Sequence, residues 1–289
     1  MKPQNLTTKI FLDSGDPKET QEAIRILGFL DGQTTNPTLV AKNPEIQAHL
    51  ASGNLLTEQE VYERYRAIVS EISRLIPDGS VSIEVYADQT TPAETMFAQG
   101  KEMFTWIPNA HVKYPILKSG LAAAEMSVAE GLRVNMTLCF TQEQAAAVYA
   151  ATRGAKRGDV FVSPFLGRLD DRGENDIALM NNILKMYRAG DGHAEVLSAS
   201  VRSIEHFMYS LALGADIITA PLQVLKEWGE SGMPIPSADF AYHHSALKDI
   251  PYQEIDLGRA WREYDIRHEL TDKGIERFAA DWSALIDTK

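Results

Sequence analysis

The feature that most constrains this chain is an alternation. Eight short apolar runs are separated by longer amphipathic stretches: Lys9–Asp13, Gly32–Asn36, Val81–Ala87, His111–Pro115, Arg133–Phe140, Asp159–Gly167, Ala194–Val201 and Ala215–Pro221. Most are rich in Val, Ile, Leu, Thr or Phe and bounded by Gly, Pro, Asn or Asp, as strands are. The intervening stretches carry helix signals. Pro17–Leu30 has Pro at its start, where a missing N–H costs nothing. Lys118–Glu130, Gln142–Arg153 and Ser203–Leu213 each stop before a Gly, the usual C-terminal stop. Glu45–Pro77 is too long for one connecting helix and breaks at Ser52-Gly53-Asn54. A second start follows at Thr57-Glu58-Gln59-Glu60, which reads as a capping box.

Strand–helix alternation means parallel strands joined by crossover helices. Eight such units predict an α/β fold of the (β/α)8 TIM-barrel class, with extra helices. An open doubly wound sheet would more often place a Gly-rich phosphate fingerprint after its first strand. Here that strand is followed by Asp13-Ser14-Gly15-Asp16-Pro17. No low-complexity linker interrupts the chain, so residues 1–289 read as one barrel domain. Its strands lie at about 8–222 and a helical extension at about 223–289. In the extension, Asp256–Tyr264 and Thr271–Ile286 read as helices and Ser237–Asp249 as a loop or short helix. The last helix has an apolar stripe of Ile275, Phe278, Ala279, Trp282 and Leu285. It either docks on the barrel or meets a partner.

Composition removes several classes of function. The formal net charge is −12 with basic residues scattered among acidic ones, whereas a nucleic-acid binder needs a basic face to displace counterions. Small phosphates remain open, provided a few placed Arg side chains or backbone N–H groups hold them. No apolar run has the length of a membrane span. Met1-Lys2-Pro3-Gln4-Asn5 lacks the apolar stretch of a signal peptide, so a cytoplasmic location is expected. The lone Cys139 forms no intrachain disulfide and reads as a small core residue. His243-His244 lacks a third ligand at useful spacing, so no metal site is expected. Asp170-Asp171-Arg172-Gly173 reads as a turn.

In a β/α barrel the active site lies at the C-terminal strand ends, and nearly every run here carries polar residues there. They are Asp13; Thr34, Thr35 and Asn36; Glu84; Lys113; Asn135 and Thr137; Ser163 and Arg168; then Ser198, Ser200 and Arg202. Buried polar groups without partners are costly, so their convergence predicts a site. Lys113 sits in the apolar Val112-Lys113-Tyr114-Pro115. It either snorkels to the surface or is a desolvated amine able to attack a carbonyl. Glu84 needs a buried partner, and Lys113 is a candidate, as a plain core ion pair or as catalytic machinery. Asp13 could take a hydroxyl proton or merely cap the next helix. Arg168 and Arg202, with Ser200, fit a phosphate site at the last loops; surface pairing with Asp170, Asp171 or Glu205 is the plainer reading.

Taken in order, these segments resemble the transaldolase family across most of the chain. Lys9-Ile10-Phe11-Leu12-Asp13-Ser14-Gly15-Asp16 resembles its first strand, and Thr34-Thr35-Asn36-Pro37-Thr38-Leu39 its TTNP-S/T-L signature. Ser82-Ile83-Glu84-Val85 and Val112-Lys113-Tyr114-Pro115 match the third strand and the Schiff-base strand, Tyr114 standing where related strands carry a smaller aliphatic residue. Asn135-Met136-Thr137-Leu138, Ser163-Pro164-Phe165-Leu166-Gly167-Arg168 and Ser200-Val201-Arg202 follow. The resemblance implies that Lys113 forms an imine with a ketose phosphate and that Asp13 moves the C4 hydroxyl proton. It implies that Glu84 and Thr137 hold a water. Asn36, Asn135 and Ser163 would bind the dihydroxyacetone unit, and Arg168, Ser200 and Arg202 the phosphate. It further implies a place in the pentose phosphate pathway, no cofactor, and small-molecule sugar phosphates as partners; an acidic barrel of this kind could be a monomer or a homodimer. Two rivals remain. One is a fructose-6-phosphate aldolase-like enzyme releasing dihydroxyacetone, though such members tend to carry Gln and Tyr where this chain has Glu84 and Phe165. The other is an inactive sugar-phosphate-binding barrel.

Overall fold

The computed structural model describes residues 2–237, 240 and 247–287. In chain order the elements are β1 (Lys9–Asp13), α1 (Pro17–Leu27), β2 (Gly32–Thr34), α2 (Pro37–Ala41), α3 (Pro44–Ala51), α4 (Glu58–Leu75), β3 (Ser80–Glu84) and α5 (Ala93–Phe104). Then come β4 (Ala110–Pro115), α6 (Lys118–Ala129), β5 (Val134–Cys139), α7 (Gln142–Ala151), β6 (Val160–Pro164), α8 (Leu166–Asp170) and α9 (Asp176–Tyr187). The chain finishes with β7 (Ala194–Ser198), α10 (Ile204–Ala212), β8 (Ile217–Ala220), α11 (Leu222–Glu230) and α12 (Glu269–Ser283). The eight strands are parallel, pair in sequence order, and close through β1 on β8. The expected TIM barrel is therefore present, each strand within a few residues of its apolar run.

Local signals explain the helix ends. Asp16 accepts from the Lys18 N–H at 2.9 Å and caps α1. Asp13 is thus not the cap. Gly28 ends that helix at φ 76°, donating to the Ile24 carbonyl, a left-handed conformation that glycine adopts without a Cβ clash. The Thr57–Glu60 capping box starts α4 as expected. Asp256–Tyr264 is a correction: instead of an α-helix, it holds only a 3-10 turn at Trp261–Glu263. The Arg153 guanidinium takes the Leu257 and Arg259 carbonyls, and Tyr264 Oη donates to the Asp256 carbonyl at 2.6 Å. Those carbonyls would otherwise accept the helical bonds. Most of Ser237–Asp249, with His243-His244, lies outside the described residues.

Successive strand residues alternate between barrel interior and helix layer. On β4, Tyr114 points outward: its hydroxyl lies 3.0 Å from Ser127 Oγ of α6. It occupies room that any side chain at Gly100 of α5 would fill. His111 and Lys113 point inward. The interior floor is aromatic. The Phe11 ring meets Phe161 edge-on at 6.0 Å, and His111 stacks on Phe161 at 4.1 Å. Gly32 makes space for Phe11, since a Cβ there would lie 2.5 Å from the ring.

The far end of the barrel is covered by α12. Ile275, Phe278 and Trp282 are buried, so the apolar stripe docks on its own barrel. Thr271 Oγ1 donates to the Leu138 carbonyl at 3.0 Å, and Thr38 Oγ1 bonds the Asp281 carboxylate. The strand pairing of β5 shifts between Met136 and Cys139, and Leu138 has φ 63°. Such a bulge bends a strand and re-aims its side chains; here α12 anchors it. No helix among the described residues is long and apolar enough to cross a membrane.

Candidate active site

Above the aromatic floor the interior becomes polar. Lys113, though a lysine, is only 3% exposed, so it does not snorkel. Its Nζ lies 2.9 Å from Glu84 Oε2 and donates to the Thr35 carbonyl at 3.3 Å. The register explains the pair, because Glu84 on β3 sits directly beside Lys113 on β4. Burial pushes the Glu84 carboxyl up, and the Lys113 charge opposes that push. Asp13 behaves alike: burial raises it, against Lys113 and a hydrogen bond from Thr34.

Two hydrogen-bonded arcs flank the ion pair. In one, Thr34 Oγ1 donates to Asp13 Oδ1 at 2.7 Å and lies 2.6 Å from Thr219 Oγ1. A hydroxyl has one proton, so with Asp13 ionised Thr219 donates to Thr34. In the other, Ser163 Oγ donates to Asn135 Oδ1 at 2.7 Å, and Asn135 Nδ2 donates to Ser82 Oγ at 3.0 Å. Asn135 is thereby fixed in one orientation across three strands. Thr137, two residues beyond Asn135 on the same face, is fully buried, and its Oγ1 has no hydrogen-bond partner. Buried polar atoms are rarely left so. Glu84 Oε2 meets the Lys113 ammonium and no other donor.

Lys113 opens onto a cavity of about 300 Å³ at the C-terminal strand ends, also lined by Asp13, Asn36, Ser163, Phe165, Arg168, Ser200 and Arg202. Asn36 is at once the N-cap of α2, its Oδ1 accepting from the Leu39 N–H at 2.9 Å. Arg168 makes no ion pair among the described residues; its guanidinium sits 5.2 Å from the Phe165 ring and 5.7 Å from the Phe278 ring. Arg202 pairs with Asp171 on the surface while lining the cavity, so the plainer reading of this residue and its place in the site both hold. Ser200 has φ 56° and its carbonyl accepts from the Gly167 N–H at 3.2 Å. At Gly167 a Cβ would lie 2.6 Å from Arg202 Nε, so the glycine admits the arginine. Ser198 is a correction: it faces outward, its Oγ 2.8 Å from Ser210 Oγ of α10.

Four neighbours were not expected from the sequence: Thr219 on β8, Lys42 at the end of α2, and Arg277 and Phe278 on α12. Thr219 could have been found, since it follows inward-facing Ile217 by two residues. Tyr65 of α4 was also missed. Its hydroxyl lies 2.6 Å from Thr35 Oγ1 and accepts from the Glu84 N–H at 2.9 Å. No group of His, Cys, Asp and Glu side chains among the described residues is arranged to hold a metal ion.

Residues 10–289 match the family model described as transaldolase/fructose-6-phosphate aldolase. Among curated proteins, the chain is similar to a probable transaldolase of Dehalococcoides mccartyi. The two are 34% identical over 277 residues, covering 96% of this chain and 99% of that one. A probable transaldolase of Herpetosiphon aurantiacus is 33% identical over 279 residues, covering 96% of each chain. One from a Caulobacter species is 34% identical over 275 residues, covering 95% of this chain and 96% of that one.

Proposed function

The chain belongs to the transaldolase/fructose-6-phosphate aldolase family, and from that premise we propose that it is a transaldolase working through an imine on Lys113. The observation that carries the reading is Lys113 itself: a buried amine, ion-paired to a buried carboxylate, at the base of a cavity whose outer wall carries arginines.

Attack on a ketone needs a neutral amine. Glu84, raised by burial, is placed to take the Lys113 proton. The amine then adds to C2 of a ketose phosphate such as fructose 6-phosphate or sedoheptulose 7-phosphate, and water leaves as the imine forms. Thr137, whose buried Oγ1 has no hydrogen-bond partner, and Glu84 are the groups to hold that water. Asp13 takes the C4 hydroxyl proton. The C3–C4 bond breaks, its electron pair enters the imine, and an enamine of dihydroxyacetone stays on Lys113 while an aldose phosphate departs. An acceptor aldose phosphate reverses these steps: C3 attacks its carbonyl carbon and Asp13 returns the proton. Asn36, Asn135 and Ser163 hold the three-carbon unit. Arg168, Arg202 and Ser200 hold the phosphate, which stays on the aldose in both half-reactions. The pentose phosphate pathway is the setting this exchange fits.

Transfer is favoured over release of dihydroxyacetone by Phe165, whose ring lines the cavity and offers no hydroxyl to protonate the enamine. The test is to incubate the protein with fructose 6-phosphate, reduce with borohydride, and map the adduct by peptide mass spectrometry. A three-carbon adduct on Lys113 that disappears when erythrose 4-phosphate is added supports transfer. An adduct that decays equally fast without acceptor supports the aldolase. A folded protein with no adduct on Lys113 overturns both.

A further inference from the structure

The chain carries a net charge of −12, yet its cavity lining collects the cationic side chains Lys42, Lys113, Arg168, Arg202 and Arg277 with Asp13 as its one carboxylate. Behind the lining, Lys113 meets Glu84, Arg202 meets Asp171 and Arg277 meets Asp281; a bound anion would offset the cationic excess that remains at the surface of the cavity. Two of the three arginines have roles above; Arg277 has none. It reaches the cavity because α12 lies across the barrel mouth. Gly274, one turn before it, packs where a Cβ would meet Arg168 Nη1 at 2.7 Å and Leu138 at 2.6 Å. Phe278, beside it, is 5.7 Å from the Arg168 guanidinium.

We infer that Arg277 is a third guanidinium for the substrate phosphate, supplied by α12 and selecting phosphorylated over unphosphorylated sugars. This rests on the transaldolase reading for the identity of the substrate but not for the anion. The charge count supports it. A sugar phosphate carries about −1.5 to −2 near pH 7. Arg202 is already paired with Asp171, so Arg168 alone is uncommitted of the two arginines first assigned. The tie on Arg277 is loose, its Nε lying 3.7 Å from Asp281 Oδ2 with the side chain 60% exposed, while Asp281 also accepts from Thr38. Arg277 can therefore turn from Asp281 to a phosphate without unfolding its helix. Its charge also presses on Arg168, which burial already disfavours as a cation; a phosphate between them relieves both.

The experiment compares wild type with Arg277→Gln and Arg277→Lys, first by calorimetric titration of inorganic phosphate and then by kinetics. Fructose 6-phosphate would be the donor, with erythrose 4-phosphate or unphosphorylated glyceraldehyde as acceptor. Charge-assisted contacts to a half-exposed arginine lead us to expect about 5- to 10-fold weaker phosphate binding in Arg277→Gln. The KM values for fructose 6-phosphate and erythrose 4-phosphate should rise similarly, kcat should stay within about twofold, and at saturating donor the KM for glyceraldehyde should not change. Arg277→Lys should recover part of the loss, as a point charge without the fork. Equal effects on both acceptors, or unchanged phosphate affinity, would overturn the inference. If wild type forms no adduct on Lys113 but Arg277→Gln still loses phosphate affinity, the transaldolase reading fails and the anion site stands.

Discussion

The two ends of one barrel interior are built to opposite rules. At the N-terminal end, the buried charged and polar groups are met by partners. Phe11, Phe161 and His111 form the floor, and the His111 ring is fixed between Ser80 Oγ at 2.8 Å and the Gly158 carbonyl at 2.9 Å. Burial pushes His111 down to about 3, so it stays neutral. Glu195 is buried but met by Lys9 at 3.1 Å and Arg157 at 3.5 Å. At the C-terminal end, Thr137 Oγ1 has no hydrogen-bond partner, two buried carboxyls are pushed up, and Arg168 makes no ion pair among the described residues. One end stabilises the fold; the other gives up stability to keep groups ready for a ligand.

Lys113→Met should break the contrast most severely. Without the nucleophile no imine forms, and activity should fall at least about 10⁴-fold, as for other nucleophile deletions. Borohydride trapping should give no adduct; an adduct at another lysine would sink the assignment. Asp13→Asn comes next, with a fall in kcat of about 10²- to 10⁴-fold, typical of a lost proton-transfer group. Its stability should move the other way. Asp13 is raised in the fold, so its contribution is fully present below the ordinary carboxylate range near pH 4 and is lost as pH rises through the raised value. At pH 7, above the range where the unfolded carboxyl ionises, the raised group costs stability. Denaturant titration should show Asp13→Asn more stable than wild type by about 1 kcal/mol at pH 7, with the gain vanishing towards pH 4. A loss of stability at pH 7 would contradict the contrast. Phe161→Ala tests the floor and should cost about 3 to 5 kcal/mol by leaving a cavity. The folded fraction should still form the Lys113 adduct; loss of the adduct in folded protein would mean the two ends are not separable.

How much of this was legible depends on where each signal is encoded. Strands buried on both faces read as apolar runs between breakers, so β1 over Lys9–Asp13 is found to the residue. Polar residues inside such runs stand out, which is why Lys113 and Glu84 are visible before any contact is known. Ser198 is polar for a different reason, a bond to Ser210 in the helix layer, and composition cannot tell inward from outward. Arg277 lies on what reads as the solvent side of an amphipathic helix; only the path of α12 across the mouth brings it to the cavity. Asp256–Tyr264 has helical spacing, but Arg153, more than 100 residues earlier, takes its carbonyls.

Tyr65 has the smallest expected effect and gives the sharpest test, because it sits outside the barrel wall while serving the inside. Its hydroxyl accepts from the Glu84 N–H and, since Thr35 Oγ1 donates to the Ser82 carbonyl at 2.7 Å, must itself donate to Thr35. Thr35 in turn offers its carbonyl to Lys113. One phenol thus ties the backbone behind both members of the ion pair. Tyr65→Phe keeps the ring and removes that tie, leaving the Glu84 N–H without its partner. Stability should drop by about 1 to 3 kcal/mol. As the ion pair loses its placement, kcat should drop about 10-fold with KM little changed. Burial raises the Tyr65 hydroxyl well above its ordinary value, so it stays protonated through the working range. The ratio of wild-type to Tyr65→Phe rates should therefore be flat from pH 6 to 9. A ratio that changes with pH would mean that Tyr65 acts on the charge of Glu84 or Lys113 rather than on their position.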